Sequence, residues 1–224
     1  MQVTQQRYYT PEEYLALEEA AEYKSEYIDG VIIPMTGGTL DISANEHQSL
    51  VQQSLKPNFG RCRIDHKRIS GNLYAALNFA FRQQNYEAFT GDLRLWIPQK
   101  RIYTYPDVMI LADEPEFFNN CKDIIVNPQV IIEVLSKSTK GYDRENKFEA
   151  YRTIPTFQEY LLIDQTRIRV EQFSKTGKKQ WSLREYDEED QAIALNTIPF
   201  EISLQDLYNK VTFEPVESAV DECS

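Results

Sequence analysis

The chain has 224 residues, 42% of them hydrophobic, enough to bury a sizeable core in an α/β domain. A net charge of −11, from 24 basic and 35 acidic side chains, argues against a surface built throughout for nucleic acid. No apolar run reaches the roughly 18 residues of a membrane span, the opening MQVTQQRYYTPEEY lacks an apolar signal-peptide core, and Cys62, Cys121 and Cys223 are too widely spaced for a disulfide framework, so a cytoplasmic location is expected.

In chain order, TPEEYLALEEAAEY reads as a helix, with Thr10 and Glu13 as a capping box and Pro11 at the first helical position. SEYIDGVIIPM reads as a hairpin turning at Asp29-Gly30. Residues 41–83 read as two helical pieces, split near KPNFG (56–60). Ile69, Leu73, Ala76, Leu77 and Ala80 form the buried face of the second piece. YEAFTGDLRLWIP and RIYTYPDVMILAD are expected to pair as one hairpin about Gln99-Lys100. EPEFFNNCKD is a surface loop, and VIIEVLS a central strand.

GYDRENKFEAYRT follows as a helix that Asp143 would cap and Ile154-Pro155 would end. QEYLLID is another apolar strand, RIRVEQFS and QWSLREY a hairpin around KTGKK, and SLQDLYNKV a short last helix. Much of the acidic excess lies in DEED (187–190) and in the tail from Glu214, which is expected to be disordered. Basic clusters at 56–68 and 137–152 read as solvated faces. The order of elements predicts an α/β fold, a mixed sheet covered by helices.

Several chemistries have no motif here. The chain lacks G-x-G-x-x-G, a P-loop and a G-x-S-x-G elbow. Its two histidines, His47 and His66, have no zinc-like spacing to cysteine, which disfavours zinc catalysis and any histidine triad. Acid–base work is left to carboxylates, lysines, tyrosines or metal-bound water.

Glu133 is the anomaly, a carboxylate inside VIIEVL. An ionised carboxylate there costs several kcal/mol unless protonation, a basic partner or a bound cation offsets it. Oxygen-preferring divalent ions take more than one carboxylate. Asp107 is the best second candidate, at the start of an apolar strand after Pro106 and 26 residues before Glu133. Asp92 stands comparably at a strand start, and Glu26 at the edge of the first hairpin. Lys147 lines up with Arg144, Phe148 and Tyr151 at helical steps and would reach the same pocket if that face packs on the sheet. Each residue also has an ordinary reading: turn residue, paired carboxylate, hairpin charge, solvated lysine.

RIYTYPDVMIL, NPQVIIEVLSKST, YDRENKFEAYRTIPTFQEYLLID and SEYIDGVIIPMTGG together resemble the restriction-endonuclease-like nuclease family that is expanded in photosynthetic bacteria, a branch of the PD-(D/E)XK superfamily. The likeness runs from about Pro11 to Leu207. It implies a restriction-endonuclease-like central mixed β-sheet flanked by helices, one domain over 1–213, and a Mg²⁺ (or Mn²⁺) site hydrolysing DNA. It also implies a homodimer, and an acidic member of such a family would need a protein partner or would cut only small or distorted substrates. By position, Asp107 and Glu133 would be metal ligands with the main-chain carbonyl of Val134 as a third. Glu26 matches the acidic residue near the metal. The usual lysine position falls on Leu135, and in this family the lysine stands on the helix, as Lys147 does. A stretch longer than usual, TLDISANEHQSLVQQSLKPNFGRCRID, separates MTGG from the helix. The alternative is a catalytically silent nuclease fold that serves as a binding or scaffolding module.

Overall fold

The computed structural model describes residues 7–35, 59–136 and 143–213. The first helical piece expected after residue 40 and the acidic tail lie outside them.

Helix α1 (Pro11–Glu19) has the expected capping box, with Thr10 and Glu13 each accepting the other's backbone N–H. Strands β1 (Ser25–Ile28) and β2 (Val31–Pro34) form the expected hairpin. Its turn holds Asp29 and Gly30 at φ 41° and 99°, the left-handed pair that matches strand twist. Helix α2 (Phe59–Ala80) buries Ile69, Leu73 and Leu77.

The next strands correct the sequence reading. β3 (Glu87–Thr90) and β4 (Arg94–Ile97) are separated at Gly91–Leu93. β5 (Ile102–Thr104) and β6 (Val108–Leu111) are separated at Tyr105–Asp107. β4 pairs with β5 about the expected turn, but β3 pairs with β6 in a different sheet. Both breaks fall at residues that end ladders: Gly91 beside Asp92, and Pro106, which has no N–H to give.

Then come β7 (Ile124–Ile125), β8 (Val130–Leu135), a π-helical stretch Asp143–Lys147 running into α3 (Phe148–Tyr151), and β9 (Glu159–Asp164). β10 (Val170–Gly177) and β11 (Gln180–Tyr186) make the expected hairpin. A small hairpin not read from the sequence, β12 (Ala192–Ala194) with β13 (Glu201–Ser203), leads into α4 (Leu204–Leu207).

The six-stranded sheet runs β11-β10-β9-β8-β6-β3 and the five-stranded sheet β2-β1-β5-β4-β7. Each is mixed, with parallel pairs β8–β9 and β4–β7. The architecture is the expected mixed sheet flanked by helices, with a second sheet where one was anticipated. β8 is buried along its whole length. Val130, Ile132 and Val134 join the core under α2, while Ile131 and Leu135 join the core under α3. Strand alternation puts Glu133 on the α3 side. Among the described residues, no helix is long and apolar enough to cross a membrane.

Candidate metal and phosphate centre

β6 and β8 carry the site. Their ladder pairs Val108 with Ile132 and goes no further toward Pro106. Two carboxylates take the N–H groups left over. The Asp107 N–H donates to Glu133 Oε2 at 3.3 Å, and the Val134 N–H donates to Asp107 Oδ2 at 2.9 Å. A proline break thus brings two acidic side chains together at the end of a buried strand pair.

Glu133 is 3% exposed and its charge has a basic partner. Lys147 Nζ lies 3.1 Å from Glu133 Oε1, and the Tyr151 hydroxyl donates to the same oxygen at 2.7 Å. The ammonium also lies 3.4 Å from Glu26 Oε1 and 3.1 Å from Asp143 Oδ1. Glu26 comes from the other sheet, where Thr104 of β5 donates its hydroxyl to Glu26 Oε1. Asp107, Glu133, Glu26 and Lys147 are therefore brought together at one end of the strand pair.

Asp143, read from the sequence as the helix cap, stands at the start of the π-helical stretch, and its side chain turns one helical step onto Lys147. Asp143 Oδ1 is buried, and among the described residues it meets the Lys147 ammonium as an ion pair. Of the residues aligned with Lys147, Arg144 points away to Glu171, Phe148 stacks on Tyr160, and Tyr151 joins the site. Asp92 is surface-exposed, paired with Lys24. His66, set aside for want of a metal-binding pattern, lies with Nε2 3.1 Å from Asp107 Oδ2. Asp143 and Tyr151 carried a weak signal, their helical spacing to Lys147. His66 carried one only as a polar residue on the apolar stripe of α2.

Three carboxylates surround one buried ammonium, and a fourth stands on the adjoining strand. Burial pushes the Glu133 pKa up to about 8, with Asp107 and Asp143 adding to the rise and Lys147 and Tyr151 opposing it. Burial pulls the Lys147 ammonium down, but Glu133, Glu26 and Asp143 outweigh it and hold the pKa well above its ordinary value. Burial likewise lowers His66, and its hydrogen bond to Asp107 and that carboxylate's charge raise it above the usual value on balance. Four carboxylates face one lysine, a crowding of acidic groups that contributes to the raised Glu133 pKa and that a bound cation would relieve.

Among the described residues, no three His, Cys, Asp or Glu side chains are grouped as a metal-ligand set by themselves. A set built on Asp107 and Glu133 needs a backbone donor. A residue's N–H and C=O point to the same strand edge, so the Val134 carbonyl faces the side of Asp107. Continuing the register puts Pro106 beside it, a residue with no N–H to occupy that oxygen. The Val134 N–H and the His66 ring both meet the Asp107 carboxylate at Oδ2. The donors are hard oxygens, which suits Mg²⁺ or Mn²⁺.

The chain is similar to two proteins of Synechocystis sp. (strain ATCC 27184 / PCC 6803 / Kazusa). It is 44% identical to the uncharacterized protein sll1609 over 176 residues, covering 79% of this chain and 86% of that protein. It is 29% identical to the uncharacterized protein slr1290 over 210 residues, covering 91% and 93% respectively. A crystal structure titled as a "putative nuclease belonging to DUF820", from Anabaena variabilis, has the same fold, with a TM-score of 0.63, 21% identity, and coverage of 89% of this chain and 97% of that one. The family model Uma2, described as "Putative restriction endonuclease", matches residues 59–206, which takes in Asp107, Glu133 and Lys147. With well over half of its length matched, the chain belongs to the Uma2 restriction-endonuclease family.

Proposed function

We propose that this protein is a Mg²⁺-dependent endonuclease-like phosphodiesterase that hydrolyses DNA by in-line attack of water. The observation that carries this reading is the convergence of Asp107 and Glu133, from adjacent strands, with the ammonium of Lys147. Asp107, Glu133 and the Val134 carbonyl would hold the ion. A divalent cation there supplies a water of lowered pKa and polarises the phosphate. Lys147, positive at any physiological pH, orients the water and steadies charge growing on the phosphate oxygens. Glu26 and Asp143 hold that ammonium in place. Asp107 is the more open of the two ligands, its side chain 20% exposed, so substrate approaches from its side.

Supercoiled plasmid is the simplest test substrate. Nicking with Mg²⁺ or Mn²⁺, lost in EDTA and lost in Glu133→Gln, supports the assignment, and metal-independent nicking or full activity in Glu133→Gln overturns it. A second reading has its own observation. Lys147 already neutralises part of the cluster, and the net charge of −11 works against duplex affinity. A silent nuclease fold used for binding predicts no Mn²⁺ uptake by the wild type.

A further inference from the structure

His66 takes no part in the constellation read from the sequence, yet it reaches that constellation from the opposite layer. It lies on α2 three residues before Ile69 and seven before Leu73, on the stripe that packs into the core beneath β8. The buried Ile69, Leu73 and Leu77 fix the height and rotation of the helix and hence the place of His66. The main-chain carbonyl of His66 accepts from the Ser70 hydroxyl at 2.6 Å. Its ring meets Asp107 Oδ2 at 3.1 Å, on the oxygen that also takes the Val134 N–H. One oxygen of Asp107 is therefore pinned from two sides, by the sheet and by the helix, and Oδ1 takes part in neither contact.

We infer that His66 is a positioning residue: its Nε2–H clamps Asp107 Oδ2 so that Oδ1 is held for the cation, and α2 thereby completes a centre otherwise built from β1, β6, β8 and the π-helical stretch. This rests on the metal-centre reading above. A carboxylate on a strand end can rotate about χ2, and a second donor on one oxygen removes that freedom. Loss of such outer partners typically weakens metal binding by about 10–100-fold.

The test is isothermal titration of the full-length protein with Mn²⁺, paired with a thermal melt of each variant. His66→Gln keeps an amide N–H at about the reach of Nε2, His66→Leu keeps only the packing, and His66→Ala removes both. The expected result is Mn²⁺ affinity near wild type in His66→Gln and at least about 10-fold weaker in His66→Leu and His66→Ala. The loss should appear in His66→Leu even where its melting temperature matches wild type. Wild-type affinity in a folded His66→Leu overturns the inference and leaves the metal reading intact. Loss of affinity in all three variants alike, His66→Gln included, overturns a hydrogen-bonding role. No Mn²⁺ uptake by the wild type itself overturns the metal reading and this inference with it.

Discussion

Glu133 brings a carboxylate into a strand with no solvent on either face, and the offset is a cation from the chain itself. Lys147 serves Glu133, Glu26 and Asp143 together. Removing one partner of a buried ion pair leaves the rest uncompensated, at a cost of about 3–5 kcal/mol. Lys147→Ala should lower the urea midpoint by a corresponding amount at pH 7, and an unchanged midpoint would mean that the three carboxylates do not depend on it. The need for an offset was legible from residue type and strand pattern, and the helical spacing named Lys147. Asp143 and His66 were only weakly legible as site residues. Helical spacing sets Asp143 one step from Lys147 and His66 on the stripe of α2, but which layer each helix covers, and so what the two side chains meet, is not encoded in local periodicity.

A second buried carboxylate shows what an offset without a cation looks like. Glu159 is fully buried and takes N–H donors from Asn196 at 3.0 Å and Thr197 at 3.1 Å, together with the Thr197 hydroxyl at 2.6 Å. Gln172 donates to it as well. It ties the segment after β12 to the sheet. Glu159→Ala leaves these donors unpaired and should destabilise the fold by on the order of 3 kcal/mol in chemical denaturation.

At the scale of elements, most helices and strands follow from caps, periodicity and turn residues. The β1–β2 hairpin depends on Gly30, at φ 99°, where an added Cβ would meet Tyr8 Cδ1 at 2.8 Å. The exposed Tyr8 ring has room to move, but the left-handed backbone remains, so Gly30→Ala should cost about 1–2 kcal/mol, seen as a lower melting temperature. The pairing of strands was less legible. YEAFTGDLRLWIP and RIYTYPDVMILAD each look like one strand, since their apolar content continues across Gly91 and Pro106. Only the partner strands decide that each run divides between two sheets. That division brings Glu26 and Thr104 from one sheet against the Asp107–Glu133 end of the other.

On the scale of the whole molecule, the site lies where the two sheets, α2 and the π-helical stretch meet, so its assembly and its stability are linked. The π-helical stretch is anchored at Arg144, which donates from Nε to Glu171 Oε2 at 2.8 Å on β10, while Arg169 reaches Oε1 at 3.4 Å. Burial raises the Glu171 pKa, but the hydrogen bonds and charges of Arg144 and Arg169 outweigh it and hold it below 4.5. A carboxylate depressed in the folded state stabilises above its unfolded pKa, and that contribution is lost as pH falls through the folded value. Melting temperature should therefore drop more steeply below about pH 4.5 in the wild type than in Glu171→Gln. Parallel curves for the two proteins would remove Glu171 as the acid-sensitive anchor.

In the proposed centre, Asp107 and Glu133 share one cation beside Lys147. Anomalous diffraction from crystals soaked in Mn²⁺ tests it most directly. A peak is expected between the Asp107 and Glu133 carboxylates and next to the Val134 carbonyl, absent in Glu133→Gln. No peak there at saturating Mn²⁺, or a peak that persists in Glu133→Gln, would contradict it.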